Sequence, residues 1–477
     1  MLEEEIRAYA IRNALEFGKA DAGRVLPKLF NHGLEKKDIG KIMPIIQKTV
    51  QEVNKLSKEE LEKELEKLKD FIHERDPGRD TNKMPDLEDV PKTGIITRFS
   101  PSSSASAFHI GHILTGMPSS LYVKRYGGKF YLRIEDTNPE KTVKECYDSF
   151  PKEAEWIFGN VDSWYTQSDR MEKYYSFAED LINKGIAFVC TCKKEDEEES
   201  EEHKQRELCN CRNNSTKDNQ EKWKKMLNKK GFKQGEAVLR FKTKNPESIT
   251  NPALIDFPLA RINLTKHPRQ GKKYRVWPLM NLCVTFDDIE QKCTHIIRAK
   301  EHQDNAKRQE MILDSLNLPK PKSYFLGRYK FTDLEISKTK ITERIKSGEF
   351  TGWDDIRLPL ARNFKRRGYQ PEAFAKMVAQ RGLSPVDKVI SKEDLFRVLD
   401  NFNRYLINKS VGATFNESKK GKIEILMPDA SVKKGNSDLD IKKQKLKEGS
   451  VVFFKGLGYA CYNPKEKIKF WFTHESK

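Results

Sequence analysis

The chain reads Thr97-Arg98-Phe99-Ser100-Pro101, then a run of serines and alanines, then Phe108-His109-Ile110-Gly111-His112-Ile113. The preceding pair of isoleucines predicts a short buried strand, and the small residues predict a loop. Apolar residues recur at helical spacing after Gly111, so the stretch predicts a strand, a loop and the start of a helix. Such a junction points free backbone N–H groups and the positive end of a helix at one place, which suits phosphate. A packed helix start is the structural alternative for two histidines beside a glycine.

The same stretch resembles a known signature. His109-Ile110-Gly111-His112 after Arg98-Phe99-Ser100-Pro101 resembles the HIGH motif of class I aminoacyl-tRNA synthetases, in the form used by the glutamyl and glutaminyl branch. The resemblance implies that His109, Gly111 and His112 bind ATP, that both histidines are catalytic, and that Arg98 and Ser100 bind the amino acid. Residues 102–108 depart from the family's Pro-Ser-Gly or Pro-Thr-Gly form and are one residue longer, so the contacts of this loop are left open.

The composition indicates a large protein with a polyanionic partner. The 477 residues are enough for several structural units, and a net charge of +18 favours nucleic acid because lysines and arginines that neutralise phosphates release counterions. Solubility in a lysine-rich proteome is the alternative. The sequence has no run of eighteen apolar residues and starts with the acidic Met1-Leu2-Glu3-Glu4-Glu5, so we expect no membrane span, no signal peptide and a cytoplasmic protein.

A second strand signal lies in the stretch from Gly127 to Pro139, and it completes a βαβ unit with the helix that starts near Gly111. Ligands of such parallel sheets bind beyond the carboxyl ends of the strands, where Glu135 and Asp136 stand. A helix cap at Asp136 is the structural alternative. The run Arg-Ile-Glu-Asp-Thr-Asn-Pro-Glu is nearly identical to the glutamyl and glutaminyl pattern, and this resemblance implies that Glu135 binds the α-amino group of the amino acid.

Two Cys-x-Cys pairs predict a structural zinc site made of Cys190, Cys192, Cys209 and Cys211. Four thiolates saturate Zn²⁺ and leave no catalytic position, whereas four reduced thiols are the alternative. His203 is not needed as a ligand, and the acidic run around it predicts a solvated loop. Some glutamyl-tRNA synthetases have a zinc knot at this place, in the insert that touches the acceptor end of tRNA. The remaining cysteines are expected to be reduced and buried: Cys146, Cys283, Cys293 and Cys461.

The choice between glutamate and glutamine depends on Arg298, which follows an apolar strand in a stretch that again resembles the branch. The resemblance places Arg298 beside Arg98, and glutaminyl-tRNA synthetases generally have a smaller uncharged residue there. A bound glutamine would leave the guanidinium without its charged partner, at a loss of about 1.5 to 3 kcal/mol plus a desolvation cost. Glutamate is therefore the expected substrate. Met280 stands where the family has an amino-acid-binding tyrosine, so a hydroxyl contact is absent or comes from elsewhere.

A second nucleotide signal reads Leu334-Glu335-Ile336-Ser337-Lys338-Thr339-Lys340. It resembles the KMSKS loop of class I synthetases, with Glu335 in place of the first lysine. The resemblance implies that Ser337 and Lys338 bind ATP, together with Glu301 in the charged cluster after Arg298. Lys338 is expected to be catalytic, because attack on the α-phosphate builds charge that a mobile ammonium stabilises. An ordinary exposed loop is the structural alternative.

The outer parts of the chain predict helices first and strands last. Apolar residues at helical spacing and a capping box at Ser57 predict an N-terminal helical block to about His73, followed by a polar linker. The two predicted apolar faces are Ile6, Tyr9, Ala10, Ala14 and Phe17, and Ile42, Ile45, Ile46, Val50 and Val53. After Lys409, alternating apolar runs predict strands at Ile423–Leu426, Val451–Phe454, Gly458–Ala460 and Ile468–Phe472. Archaeal members and glutaminyl-tRNA synthetases end in two barrels that read the anticodon, but too few residues remain here for two. Stacking aromatics are expected from Tyr459, Tyr462 or Trp471, some of which alternation assigns to the core.

We therefore predict a multidomain α/β protein with a Rossmann-like class I synthetase catalytic domain. The predicted domains are an N-terminal helical domain (1–92), the first catalytic half (93–185), a zinc-containing acceptor-binding insert (186–272), the second catalytic half (273–345), a helical stem-contact domain (346–400) and a reduced β-barrel for the anticodon (401–477).

The predicted function is that of a glutamyl-tRNA synthetase of the archaeal type. The expected cofactors are ATP with Mg²⁺ and a structural Zn²⁺, and the expected partners are L-glutamate and tRNA(Glu), with tRNA(Gln) left open. The resemblance suggests a monomer. The alternatives are a glutaminyl-tRNA synthetase, a paralogue that glutamylates a modified tRNA base, and a non-catalytic tRNA-binding protein on the same fold.

Overall fold

The computed structural model describes residues 2–29, 34, 38–68, 71, 80, 83–192 and 208–476. The chain divides into two compact units, Met1–Asp80 and Thr81–Lys477. The division into smaller domains stays a prediction. No helix within these described ranges is long and apolar enough to cross a membrane.

The described residues of the first unit form helices α1 (Leu2–Phe17), α2 (Ala22–Leu29), α3 (Ile39–Val53) and α4 (Lys58–Lys67). Their apolar faces pack into one core, as the spacing predicts. Two members of the predicted faces are exposed instead. Phe17 lies in the last turn of α1 under the guanidinium of Arg24, and Ile45 lies at the edge of the buried stripe of α3.

Helix α4 begins with the predicted capping box. The Ser57 hydroxyl accepts the backbone N–H of Glu60, and the Glu60 carboxylate accepts the backbone N–H of Ser57 at 2.7 Å. The helix ends at Lys67, earlier than predicted. His73 and most of the predicted linker lie outside the described residues.

The first part of the second unit alternates strands and helices. In chain order they are β1 (Ile95–Phe99), α5 (Ile110–Tyr126), β2 (Gly128–Ile134), α6 (Cys146–Phe158), β3 (Ser163–Thr166), α7 (Met171–Asn183), β4 (Ala187–Cys190), α8 (Thr216–Leu227), β5 (Val238–Phe241), β6 (Pro258–Ile262), β7 (Val276–Pro278), α9 (Met280–Glu290), β8 (His295–Ala299), α10 (Gln303–Ser315) and β9 (Lys322–Leu326).

The predicted βαβ unit is confirmed by the parallel pairing of β1 with β2, which pairs in turn with β3. Strands β8 and β9 form a second parallel pair. The backbone N–H of Thr294, just before β8, donates to the carbonyl of Ile96 in β1 at 2.9 Å. The carboxyl ends of β1, β2 and β8 therefore reach the same edge.

The close approach of β1 and β2 requires glycine at the start of β2. Gly128 has φ +108°, and a Cβ placed there would lie 1.9 Å from the carbonyl oxygen of Ile95. Since an L side chain disfavours this backbone region and the oxygen belongs to a paired strand, a larger residue would separate the strands.

Strands β4, β5, β6 and β7 form an antiparallel sheet in that order. Helix α8 covers it with the buried Trp223, which joins a core that includes Phe241 and Leu259. This layer carries the cysteine pairs.

The second part of this unit begins with helices and ends with strands. They are β10 (Tyr329–Phe331), α11 (Lys338–Lys346), α12 (Ala361–Arg366), α13 (Pro371–Arg381), β11 (Lys388–Ile390), α14 (Lys392–Ile407), β12 (Val411–Thr414), β13 (Asn416–Glu417), β14 (Ile423–Leu426), β15 (Val432–Asn436), β16 (Val451–Lys455), β17 (Gly458–Tyr462) and β18 (Phe470–Phe472).

The described strands from β12 to β18 form one sheet in the order β12-β16-β17-β18-β14-β15-β13. Its edge strands β12 and β13 are separated in the chain by Phe415 alone, so the sheet curls into a nearly closed barrel around a core that includes Ile425 and Phe454. The four predicted strands are present. Of the aromatic residues considered for base stacking, Tyr462 and Trp471 are buried and Tyr459 is partly exposed.

Candidate active site

A cavity of about 410 Å³ opens at the shared carboxyl edge of β1, β2 and β8. Most of the residues predicted for the site line it, namely Arg98, Ser100, His109, Gly111, His112, Glu135, Met280, Arg298 and Glu301. Two predicted residues, Ser337 and Lys338, are not among the lining residues. Their neighbour Ile336 is, so the second nucleotide motif reaches the rim of the cavity.

The histidine pair, His109 and His112, occupies the start of α5. The two rings stack with centroids 3.9 Å apart. The Nδ1 atom of His109 accepts the backbone N–H of Gly111 at 3.0 Å, and Nδ1 of His112 accepts the backbone N–H of His109 at 3.3 Å. Since each Nδ1 is an acceptor, each neutral ring carries its proton on Nε2. The pair therefore caps the helix and keeps two N–H donors for a ligand.

Both rings are uncharged at neutral pH. Burial lowers the pKa of His109 to about 4. Burial and the nearby His109 lower the pKa of His112 well below its ordinary value. The pair can thus donate hydrogen bonds to phosphate without a permanent positive charge.

Gly111 is required by the ring beside it. A Cβ at this position would lie 2.8 Å from Cε1 of His109, closer than real Cβ contacts. A side chain would push the ring away and also fill part of the cavity that Gly111 lines.

The segment after α11 is hydrogen-bonded to the loop that carries the histidines. The backbone N–H of Ile110 donates to the carbonyl of Pro359 at 2.9 Å, and the N–H of Ala361 donates to the carbonyl of Phe108 at 2.8 Å. Ala107 packs in one cluster with Ile341 of α11. The helix that begins at Lys338 therefore shares a hydrophobic cluster with the loop that carries the histidines. The sequence contained no signal for this pairing because its partners lie far apart in the chain.

Glu153 of α6 fixes the same loop. Its carboxylate accepts the backbone N–H of Phe108 at 2.5 Å and a hydrogen bond from Arg362 at 3.2 Å. Burial raises the pKa of Glu153 to about 7, although both of these donors favour the charged form.

The arginine cluster, Arg98, Arg133 and Arg298, lies on β1, β2 and β8. Asp288 of α9 binds the first two: Nε of Arg98 donates to it at 3.2 Å and Nη1 of Arg133 at 2.9 Å. Burial by itself raises the pKa of Asp288, but these guanidiniums outweigh it and hold that pKa at about 2. No motif in the sequence indicated this role.

Arg298 differs from its two neighbours because it has no carboxylate partner within the described ranges. It is 7% exposed, and its Nη1 donates to the amide oxygen of Gln309 at 3.0 Å. Burial and the nearby Arg98 lower the pKa of Arg298 to about 9. A buried guanidinium without a directly paired carboxylate favours an anionic ligand.

Polar groups around this guanidinium could contact an amino acid. Burial raises the pKa of Glu135, whose carboxylate lies 4.0 Å from Nε of Arg133. The Ser100 hydroxyl is buried and has no hydrogen-bond partner among the described atoms. Met280 lines the cavity and supplies no hydroxyl there.

Glu301 lines the cavity next to two residues that sequence reasoning missed. Its carboxylate accepts a hydrogen bond from Nε of Arg328 at 2.9 Å. Arg381 also lines the cavity and stacks over Tyr329 at 4.1 Å. No motif pointed to these arginines.

Lys338 is exposed at the first turn of α11. The preceding Ser337 donates its backbone N–H to the Glu335 carboxylate at 2.8 Å, and that carboxylate also lies 3.8 Å from the ammonium of Lys340. Glu335 therefore holds the motif together.

The four cysteines of the two pairs come together as predicted. The sulfur atom of Cys192 lies 3.2 Å from that of Cys209 and 3.8 Å from that of Cys211, and Cys190 lies 3.4 Å from Cys209. All four sulfurs lie within 4.8 Å of one another. Tetrahedral zinc with Zn–S bonds of about 2.3 Å separates its sulfurs by about 3.8 Å, so the donor set fits that ion. His203 lies outside the described residues.

The chain is similar to a characterised family. Residues 94–403 match the family model "tRNA synthetases class I (E and Q), catalytic domain". A "Glutamate--tRNA ligase" of Methanocaldococcus jannaschii is 36% identical over 416 residues, which cover 87% of this chain and 72% of the relative. A "Glutamate--tRNA ligase" of Pyrococcus furiosus is 37% identical over 408 residues, which cover 84% of this chain and 70% of the relative.

Among solved structures, a glutamate tRNA ligase from Elizabethkingia meningosepticum in complex with its amino acid has a TM-score of 0.47. It is 19% identical in sequence and covers 66% of this chain and 69% of its own.

Proposed function

Because the chain belongs to the class I tRNA synthetases for glutamate and glutamine, we propose that its cavity activates L-glutamate with ATP and passes it to tRNA. The enzyme is a ligase of protein biosynthesis. A carboxylate oxygen of glutamate attacks the α-phosphorus of ATP, and the bond from that phosphorus to pyrophosphate breaks. A hydroxyl of the terminal ribose then attacks the glutamyl carbonyl and displaces AMP. Neither step needs a covalent enzyme nucleophile.

The observation that carries this proposal is the buried guanidinium of Arg298, which lacks a carboxylate partner in the described chain and shares a cavity with the histidine pair. The side-chain carboxylate of glutamate supplies that counter-charge. Glutamine cannot, so the site loses a charge-assisted hydrogen bond of about 1.5 to 3 kcal/mol when glutamine binds.

The rest of the amino acid is bound by side chains whose charge or polarity complements it. Glu135 binds the α-amino group, and an ammonium there offsets the burial that raises the pKa of this carboxyl. Arg98 and the unpartnered Ser100 hydroxyl contact the amino acid from β1 and the following loop. Met280 contributes shape alone, in place of a hydroxyl.

ATP binds along the start of α5. The Nε2–H groups of the histidine pair donate to phosphate, Gly111 allows the nucleotide to approach the backbone, and Glu301 and Ser337 complete the nucleotide site. The ammonium of Lys338 meets the charge that develops on the phosphate oxygens. Mg²⁺ accompanies ATP, and it neutralises phosphate charge when bound.

The four cysteines hold a structural zinc ion, and the insert at 186–272 contacts the acceptor end of tRNA. We expect about one zinc per chain by elemental analysis and its loss in Cys211→Ser. Cys293→Ser, outside the cluster, is the matched control. A protein without zinc that keeps its charging activity and stability overturns this assignment.

The remaining parts bind tRNA in a cytoplasmic, monomeric enzyme. The net charge of +18 suits a polyanion, the helices at 346–400 contact the inner side of tRNA, and the reduced barrel reads the anticodon. The acceptor is tRNA(Glu), and charging of purified tRNA(Gln) decides whether it is a second substrate.

Aminoacylation of purified tRNA(Glu) tests the proposal. We expect ATP-dependent charging with glutamate and at most a trace with glutamine. Lys338→Ala is expected to lower kcat about a hundredfold while tRNA binding stays unchanged. A wild-type protein that binds tRNA and charges it with neither amino acid is a non-catalytic tRNA-binding protein, and preferential charging with glutamine identifies the glutaminyl activity instead.

A further inference from the structure

The amide of Gln309 lies at the wall of the cavity beside Arg298. Gln309 belongs to α10, is 5% exposed and lines the cavity. No motif in the sequence pointed to it. Its amide oxygen accepts a hydrogen bond from Nη1 of Arg298 at 3.0 Å.

This hydrogen bond fixes the direction of the amide. A guanidinium donates and never accepts, so the oxygen of Gln309 must face Arg298 and its NH₂ group must point elsewhere. In the part of the chain that is described, Nε2 of Gln309 has no acceptor, and Nε of Arg298 has none either. Each residue of this hydrogen-bonded pair therefore keeps one buried donor without a partner, which is costly unless a ligand supplies acceptors.

The neighbouring carboxylates do not fill this role. Asp288 is engaged by Arg98 and Arg133, and Asp287 accepts hydrogen bonds from Gln167 and Arg170. Neither donor is hydrogen-bonded to any other carboxylate among the described residues, so a bound molecule can supply the acceptors.

We propose that the Gln309 amide donates a hydrogen bond to the side-chain carboxylate of the bound glutamate and helps to reject glutamine. This inference rests on the proposed function and adds a second selecting residue to Arg298. A carboxylate accepts from both neighbours. The side-chain amide of glutamine, in contrast, offers a single uncharged oxygen to both donors, and its NH₂ group meets a donor if it faces either of them.

Two substitutions at this position test the proposal through aminoacylation kinetics with tRNA(Glu). Gln309→Leu removes the donor and is expected to raise KM for glutamate about tenfold, with kcat and KM for ATP within about twofold of wild type. Gln309→Glu places a carboxylate against Arg298. It is expected to lower kcat/KM for glutamate about a hundredfold and to shift the glutamate-to-glutamine preference at least about tenfold toward glutamine.

Gln303→Leu is the matched control, because Gln303 is an exposed glutamine at the start of the same helix. It is expected to behave as wild type. Circular dichroism and thermal unfolding show whether each variant is folded before its kinetics are compared.

The outcomes separate this inference from the function on which it rests. If the wild-type chain charges glutamate and a folded Gln309→Leu keeps its KM, the amide does not contact the substrate and the inference fails. The same holds if Gln309→Glu changes KM for ATP as strongly as KM for glutamate. If the wild-type chain charges no tRNA with glutamate, the proposed function itself fails.

Discussion

The histidine pair and the arginine cluster lie at one cavity but differ in charge, because the histidines are neutral and the arginines are cationic side chains. Burial lowers the pKa of both histidines, so that they act as neutral donors at the start of α5. The guanidiniums of Arg98 and Arg133 pair with Asp288, whereas Arg298 has no ion-pair partner among the described residues. Neutral N–H donors can hydrogen-bond to phosphate oxygens while negative charge shifts among these oxygens during the reaction. A buried fixed charge instead selects one carboxylate. Under the proposed function, the histidine side of the cavity is suited to a nucleotide and the arginine side to the choice of amino acid.

Arg298→Ala tests the role of the arginine cluster and has the largest expected effect. It removes the counter-charge of a buried carboxylate and is expected to lower kcat/KM for glutamate about a thousandfold. KM for ATP is expected to stay within about twofold, because the histidine pair is unchanged. Steady-state aminoacylation measures both, with the exposed Arg397→Ala as control. An equal loss toward ATP would show that the two sides are not separate.

His112→Ala tests the role of the histidine pair as neutral hydrogen-bond donors. It removes one N–H donor to phosphate and is expected to lower kcat about a hundredfold, with KM for glutamate nearly unchanged. Single-turnover charging separates this effect from product release. His112→Gln keeps an N–H donor and is expected to recover part of the rate. A large rise in KM for glutamate would place this ring in the amino acid site instead.

Glu153→Gln tests the buried carboxyl group that supports the histidine loop, and it has the smallest expected effect. The folded protein raises the pKa of Glu153 to about 7, so the folded state holds a proton that the unfolded state loses from about pH 4.5 upward. Wild type is therefore expected to lose about 1 to 3 kcal/mol of stability relative to the variant as pH rises from about 4.5 to 7, and to stay level above it.

Denaturant unfolding at several pH values measures this difference. Glu155→Gln, an exposed position of the same helix, is the control and should show no such pH dependence. A pH-independent difference between wild type and Glu153→Gln would mean that Glu153 stays ionised behind the histidine loop.

Local patterns predicted the parts of the site that lie within one strand, loop and helix start. Short runs of residues predict the β1 strand, the start of α5, Glu135 and the two cysteine pairs. The structure brings the first three to one cavity and gathers the four cysteines in a cluster of their own. Local spacing failed where packing decides between neighbours, as for the exposed Phe17 and Ile45.

Long-range pairing explains what the sequence did not reveal. Arg98 and its partner Asp288 are 190 residues apart, and Phe108 pairs with Ala361 from another part of the chain. Gln309 lies on a helix whose composition is ordinary, so its role beside Arg298 appears only when β8 and α10 are packed. Fixed motifs report chemistry, whereas the partners that tune this chemistry come from tertiary structure.

Strand β18 has a consequence for the order of assembly. It pairs with β17 on one side and β14 on the other, and the carbonyls of Phe472 and Thr473 accept hydrogen bonds from the buried Arg367. The middle strand of the barrel is therefore translated after all its neighbours. Until β18 has been made, β14 and β17 each keep an unpaired edge on the nascent chain, and unpaired strand edges favour aggregation.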